Sequence, residues 1–203
     1  MTIDIILQAA PVIPVLVLDG SIDPAALAEA LVGAGLPVLE VTLRTPHALD
    51  AIRAMAAVPG AIVGAGTVLN PRMLDDAIEA GSHFIVSPGL TEPLGRAAIA
   101  SGIPFLPGVA TASDIMRGLD MELDRFKFFP AEAAGGLKAL ASLAGPFGDI
   151  LFCPTGGITL DSAPNWLAHP AVRCVGGSWI VKAGETDIAA IAKRARAAAK
   201  LNK

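Results

Sequence analysis

The stretch Arg125-Phe126-Lys127-Phe128-Phe129-Pro130-Ala131-Glu132 decides how the rest of this chain is read. It has the look of a short buried strand, with a lysine in its middle and a proline stop at its end. Side chains alternate faces along a strand, so Phe126 and Phe128 share one face and Lys127 and Phe129 the other. Lysine is rarely buried without a partner. Among three phenylalanines an ammonium is poorly solvated, which favours the neutral amine. A neutral amine is a nucleophile suited to Schiff-base formation with a carbonyl carbon. The other five lysines (Lys138, Lys182, Lys193, Lys200 and Lys203) lie downstream in helix-like or tail sequence. The plainer alternative is a lysine at a strand end whose ammonium snorkels to water.

A second apolar run carries a similar anomaly. In Val38-Leu39-Glu40-Val41-Thr42-Leu43-Arg44 the residues Leu39, Val41 and Leu43 fall on one face. Glu40, Thr42 and Arg44 fall on the other, although a strand buried in a parallel sheet should be apolar on both. One reading is a structural Glu40–Arg44 pair filling an interior layer, but such pairs stabilise a core weakly. The other makes Glu40 a general acid/base and Arg44 a cationic anchor nearer a site mouth.

Around these runs the chain alternates short apolar segments with Ala-rich helical patterns. Strands are expected at 13–18, 37–43, 61–65, 83–87, 104–107, 125–129, 150–153 and 172–175. Helices are expected near 24–34, 46–57, 71–80, 91–101, 111–119, 135–144, 159–168 and 186–200. Asp23-Pro24, Thr45-Pro46, Asn70-Pro71 and Thr91-Glu92-Pro93 put a capping residue or proline at helix entries. Alternation with short loops means parallel βα units, and eight of them imply an α/β fold of the (β/α)8 TIM-barrel type. The expectation is a single domain over 1–203 with a short N-terminal helix. A doubly wound open sheet is the alternative, but no GxGxxG opens the first helix.

Barrels of this kind carry their active sites at the C-terminal ends of the strands. There the third segment ends Gly64-Ala65-Gly66-Thr67, with a hydroxyl at the mouth and glycines that let backbone approach a ligand. The fourth ends Ser87-Pro88-Gly89. The seventh and eighth end Thr155-Gly156-Gly157 and Gly176-Gly177-Ser178, the second pair leading toward a short helix. Paired glycines after strands seven and eight suit a phosphate, whose oxygens accept from backbone N–H groups. Plain turns are the alternative at each.

Composition narrows the classes. The 203 residues are 53% hydrophobic with a net charge of -4, which leaves no electrostatic footprint for nucleic acid. The basic patch Lys193-Arg194-Ala195-Arg196 is expected to be a solvated helix face. Cys153 and Cys174 sit in apolar runs and fit reduced core thiols in a cytoplasmic protein. His47, His83 and His169 show no metal-ligand spacing, so no metal site is expected. The apolar run at 11–18 is too short to span a membrane, and no signal-peptide pattern precedes it.

The segments LEVTLRT (39–45), GAGTVLNP (64–71), FIVSPG (84–89), PFLPGVAT (104–111), KFFPAE (127–132), PTGGI (154–158) and GGSW (176–179) resemble those of the bacterial KDPG aldolases. These are the 2-keto-3-deoxy-6-phosphogluconate and 4-hydroxy-2-oxoglutarate aldolases. The resemblance implies a metal-free class I aldolase on a (β/α)8 barrel, assembled as a homotrimer. It places the Schiff-base lysine on Lys127 and the acid/base glutamate on Glu40. Contacts to the pyruvoyl carboxylate fall on Arg44 and Thr67, with Pro88 and Phe129 lining the site. Phosphate contacts fall on Gly156, Gly157 and Ser178, with Thr155 nearby. No cofactor is implied beyond the covalent lysine, and the partners are a 2-keto acid and a phosphorylated aldehyde. The related phosphogalactonate aldolases usually carry an arginine in the first strand, which Pro14-Val15-Leu16-Val17-Leu18 lacks. The segment after Trp179 looks shorter than in many relatives. A sugar-phosphate isomerase or epimerase using Glu40 as base, or a non-catalytic barrel binding a phosphorylated ligand, are the competing classes.

Overall fold

Capping chemistry sets most helix starts in the computed structural model, which describes residues 1–201. Asn202 and Lys203 lie outside the described residues, and with them the end of the expected domain. The helices are α1 (Ile3–Gln8), α2 (Pro24–Gly33), α3 (Ala48–Ala56), α4 (Pro71–Glu79), α5 (Glu92–Ser101), α6 (Ala112–Leu119), α7 (Gly136–Ala144), α8 (Ala163–Leu167) and α9 (Ile188–Ala199). The strands are β1 (Val12–Leu16), β2 (Val38–Thr42), β3 (Ile62–Gly66), β4 (Phe84–Val86), β5 (Phe105–Leu106), β6 (Gly108–Val109), β7 (Arg125–Phe128), β8 (Leu151–Pro154) and β9 (Val175–Gly177).

Asp23 caps α2 by accepting from Ala25 N at 2.9 Å, and Asn70 caps α4 by accepting from Met73 N at 3.0 Å. Thr111 and Asp114 form a capping box at α6. Two expected starts move. The Thr45 hydroxyl donates to Leu18 O at 2.5 Å instead of capping, so α3 begins at Ala48 behind His47. The helix expected from 159 begins at Ala163, because Thr159 and Ser162 first close a turn on each other's hydroxyls.

All strand pairs are parallel. They form a six-stranded sheet of order β5-β4-β3-β2-β1-β9 and a three-stranded sheet of order β6-β7-β8. The architecture is thus an α/β fold around a curled parallel sheet, not one continuous eight-stranded ladder. The fifth expected strand is split at Pro107, which lacks an N–H and cannot donate to a ladder. Between β8 and β9 the pairing thins to isolated parallel bridges, Phe152 with Val172 and Thr155 with Gly176.

Alternation along the strands sorts side chains into two cores. The larger lies under the helices and includes Leu39, Val41, Phe126, Phe128 and Phe152. The smaller lies within the curl and joins Ile13, Val38, Phe84, Val86, Leu106, Cys153 and Cys174. Ile6 and Leu7 of α1 are fully buried in this inner cluster, so the N-terminal helix stoppers the N-terminal end of the sheet. A surface cavity of about 560 Å³ also opens at that end, beside Asp149, Ile150, His169 and Ala171.

Candidate active site

The site begins with the parity of β2 and β7. Val38, Glu40 and Thr42 descend one face of β2, while Leu39 and Val41 enter the larger core. On β7 the phenylalanines turn outward. Phe126 and Phe128 each pack against Phe152 with ring centroids 6.4 Å apart. That packing fixes the strand's rotation and leaves Lys127 pointing into the curl. Its Nζ donates to Glu40 Oε1 at 2.8 Å, with Lys127 only 6% and Glu40 only 3% exposed. β2 and β7 lie in different sheets, so a direct bond between them requires the sheets to curve around a shared interior. The ammonium also sits 5.4 Å from the Phe129 ring centroid, within cation–π range.

Gly66 makes this pair possible, and the sequence reading did not single it out for that. A Cβ on Gly66 would lie 2.3 Å from Glu40 Oε1, so the carboxylate occupies the space that any larger residue there would fill. Gly64 is constrained likewise by the Phe84 ring, 2.4 Å from its would-be Cβ. The ion pair that sequence reasoning weighed between Glu40 and Arg44 does not form. β2 ends at Thr42, whose hydroxyl donates to Leu16 O at 3.0 Å, and the backbone then bends so that Arg44 N reaches Thr42 O at 2.8 Å. Arg44 is exposed and makes no ion pair among the described residues.

Thr67 follows β3 with φ +60, in the left-handed region that β-branched residues rarely occupy. Holding it there costs about 1–3 kcal/mol of local strain. Such strain clusters at binding sites. Pro88 follows β4, half-buried, after Ser87 turns its hydroxyl to Gly89 O at 2.6 Å. Phe129 is half-buried and follows Lys127 into the cis Phe129–Pro130 peptide.

The two glycine pairs differ, which corrects the expectation that both follow their strands and that the second leads into a short helix. Gly156 and Gly157 have φ +105 and +81 and form a true turn after β8. Gly176 and Gly177 lie inside β9, with the exposed Ser178 just past its end and no helix following directly. They are glycine for lack of space: a Cβ on Gly176 would meet Thr155 Oγ1 at 2.2 Å, and one on Gly177 would meet the Trp179 ring at 2.6 Å. Thr155 itself is buried beneath the turn. The basic patch on α9 is also not wholly solvated. Arg194 turns inward, its Nε donating to Ile180 O at 2.8 Å while its guanidinium pairs with Glu185. Among the described residues no cluster of three or more His, Cys, Asp or Glu is arranged to hold a metal. His83 and His169 instead accept backbone N–H groups through Nδ1. Among the described residues no helix is long and apolar enough to cross a membrane.

A buried lysine bonded to a carboxylate can be set against known proteins. The family model described as KDPG and KHG aldolase matches residues 3–194. This chain belongs to the KDPG and KHG aldolase family. It is 60% identical over 196 residues to the 2-dehydro-3-deoxy-phosphogluconate aldolase of Zymomonas mobilis, covering 97% of this chain and 94% of that one. The crystal structure of the 2-keto-3-deoxy-6-phospho-gluconate aldolase from another Zymomonas mobilis strain superposes with a TM-score of 0.98 at 58% identity, covering 100% of this chain and 98% of its own. The KDPG aldolase of Legionella pneumophila superposes with a TM-score of 0.95 at 43% identity, covering 98% of this chain and 99% of its own. In that structure pyruvate was captured at low pH as a covalent carbinolamine intermediate.

Proposed function

We propose that this protein is a metal-independent class I aldolase that reversibly cleaves 2-keto-3-deoxy-6-phosphogluconate to pyruvate and glyceraldehyde 3-phosphate. The observation that carries the reading is the buried 2.8 Å bond between Lys127 Nζ and Glu40 Oε1. A purely structural pair gains little at such burial. As a reacting pair it has a clear use: Glu40 takes a proton from the amine, and the freed lone pair attacks the C2 ketone. Glu40 returns its proton to the former ketone oxygen, which leaves as water and gives a protonated imine, the electron sink for a carbanion at C3. Glu40, directly or through a water, removes the C4 hydroxyl proton as the C3–C4 bond breaks and glyceraldehyde 3-phosphate departs. The same acid then protonates the enamine at C3, and hydrolysis frees pyruvate and Lys127.

Arg44 and Thr67 hold the carboxylate in this proposal, fixing which carbon faces the lysine. The exposed Arg44, without an ion pair among the described residues, and the strained, hydroxyl-bearing Thr67 support it. Pro88 and Phe129 line the chamber. The 156–157 turn and Ser178, with Thr155 beneath, take the phosphate through backbone N–H groups and a hydroxyl. The same chamber accepts 4-hydroxy-2-oxoglutarate, which needs only the lysine, the acid/base and the carboxylate anchor. We further read residues 1–203 as one domain, its two sheets closing into an eight-stranded barrel with β5 and β6 as halves of one strand. The Thr155–Gly176 bridge and the bond across the interior support that closure. We also read the protein as a homotrimer working in the cytoplasm, which the family resemblance supports, and light scattering on the purified protein tests the assembly.

Borohydride reduction with pyruvate, followed by peptide mass spectrometry, tests the chemistry. A reduced pyruvyl adduct at Lys127 is the expected result. Pyruvate binding without an adduct removes the covalent step, and the aldolase assignment with it.

A further inference from the structure

Glu132 is the residue that the proposed chemistry leaves unused, although it ends the KFFPAE segment beside the candidate phosphate turn. Its backbone N–H donates to Gly156 O at 3.0 Å, extending the β7–β8 pairing past Pro130. Its Cβ and Cγ press on the turn, since a Cβ on Gly157 would lie 2.8 Å from each. Its carboxylate Oε1 accepts from Trp166 Nε1 at 3.1 Å. Trp166 belongs to α8, the helix that follows the turn, and is 2% exposed. Its ring packs against Phe128 of β7 with centroids 6.4 Å apart. The turn is therefore enclosed by a loop of contacts running from β7 through Glu132 to Trp166 and back through Phe128.

We propose that Glu132 is a positioning residue, which through Trp166 clamps the Gly156–Gly157 turn in the geometry that receives the substrate's phosphate. The inference rests on the phosphate reading of that turn. Two left-handed glycines have the widest conformational freedom of any residues, so their N–H groups converge on an anion only if something outside the turn restrains them. Glu132 supplies the restraint from one side with its stem and from the other by anchoring α8. Merely satisfying the buried indole N–H is the competing role, and it predicts lost stability with no preference among substrates.

The test compares Glu132→Ala, Glu132→Gln and Trp166→Phe with the wild type on two substrates, 2-keto-3-deoxy-6-phosphogluconate and unphosphorylated 4-hydroxy-2-oxoglutarate. For Glu132→Ala the KM for the phosphorylated substrate is expected to rise about tenfold, the scale of losing one charge-assisted hydrogen bond. KM and kcat for the unphosphorylated substrate, and pyruvate trapping at Lys127, should stay at wild-type values. Trp166→Phe should reproduce the effect, and Glu132→Gln, whose amide oxygen can still accept from the indole, should restore it. Equal changes on both substrates, or none on either, overturn the clamp. Inorganic phosphate competing with the phosphorylated substrate in the wild type checks the underlying reading separately. Without such competition the phosphate site itself falls, and the clamp falls with it. With competition but an unchanged Glu132→Ala, only the clamp falls.

Discussion

Val38 and Glu40 stand two residues apart on the same face of β2, yet they face opposite kinds of interior. Val38 meets Ile6, Leu7, Phe84 and the rest of an apolar plug, sealed by α1 at the N-terminal end of the sheet. Glu40 meets an ammonium, with Gly66 hollowed out to admit its carboxylate. The lower layer stabilises the fold by the usual removal of apolar surface from water. The upper layer removes two charges from water, a cost that their mutual attraction recovers only in part. The contrast teaches where to look for chemistry in a packed sheet interior: at the layer that an apolar residue would fill at least as well.

The sharpest way to break the contrast is to make the upper layer resemble the lower. Lys127→Ala is expected to lower turnover by roughly 10³-fold or more, since it removes the proposed nucleophile, which would act with its base as a unit. It also leaves Glu40 buried without its partner, a destabilisation of about 3–5 kcal/mol measurable by urea unfolding. The double variant Glu40→Leu/Lys127→Met should be equally inactive yet at least as stable as Lys127→Ala, because no charge is left unpaired. A double variant less stable than the single would show that the pair is structural. Gly66→Ala tests the hollow itself. With its Cβ due 2.3 Å from Glu40 Oε1, the carboxylate must move, and turnover should drop on the order of 10²-fold. Gly66 does not adopt a positive φ, so the loss traces to displacement of Glu40 and not to backbone strain. Lys127 should still form its pyruvate adduct on borohydride treatment.

Legibility in the sequence follows the same division. Lys127 and Glu40 could be read because period-two alternation in an apolar run makes a single charged residue conspicuous. Two helix starts could be read because Asp23 and Asn70 accept from backbone N–H groups within three residues of themselves. What escaped depends on neighbours distant in the chain. Gly176-Gly177 looks like Gly156-Gly157 on paper, and only its pairing with Ile13 and Pro14 of β1 makes the first pair strand. Arg44 and Glu40 share a parity, but the bend after Thr42 parts them. Thr67 gives no local sign that it is held at φ +60. Glu132 and Trp166 lie 34 positions apart, and nothing in either segment announces their bond.

In the lower layer the effects should fall on stability alone. Leu7→Ala opens a cavity among fully buried apolar side chains and is expected to cost about 2–5 kcal/mol by urea unfolding. The folded fraction should keep wild-type kcat, and a kcat that fell with stability would show the two layers to be coupled.

The smallest effect concerns the latch beneath the plug. Asp4 of α1 accepts from Arg125 Nε of β7 at 3.0 Å and lies 3.7 Å from Arg173. The Arg125 hydrogen bond, followed by the charges of Arg125 and Arg173, holds the Asp4 carboxyl below its ordinary 3.8. A depressed carboxyl binds its proton more readily in the unfolded chain than in the folded one. Its contribution is therefore complete above the ordinary carboxylate value and disappears as pH falls through the lower folded value. Asp4→Asn should cost less than about 1 kcal/mol at neutral pH, because the pair is partly exposed to solvent. The gap between wild type and variant, followed by urea unfolding at falling pH, should close below 3.8. Turnover at neutral pH should not change. Arg125 and Lys127 share one strand, so an altered kcat in Asp4→Asn would mean that the latch sets the height of the lysine, and the separation of the two layers would fail at that strand.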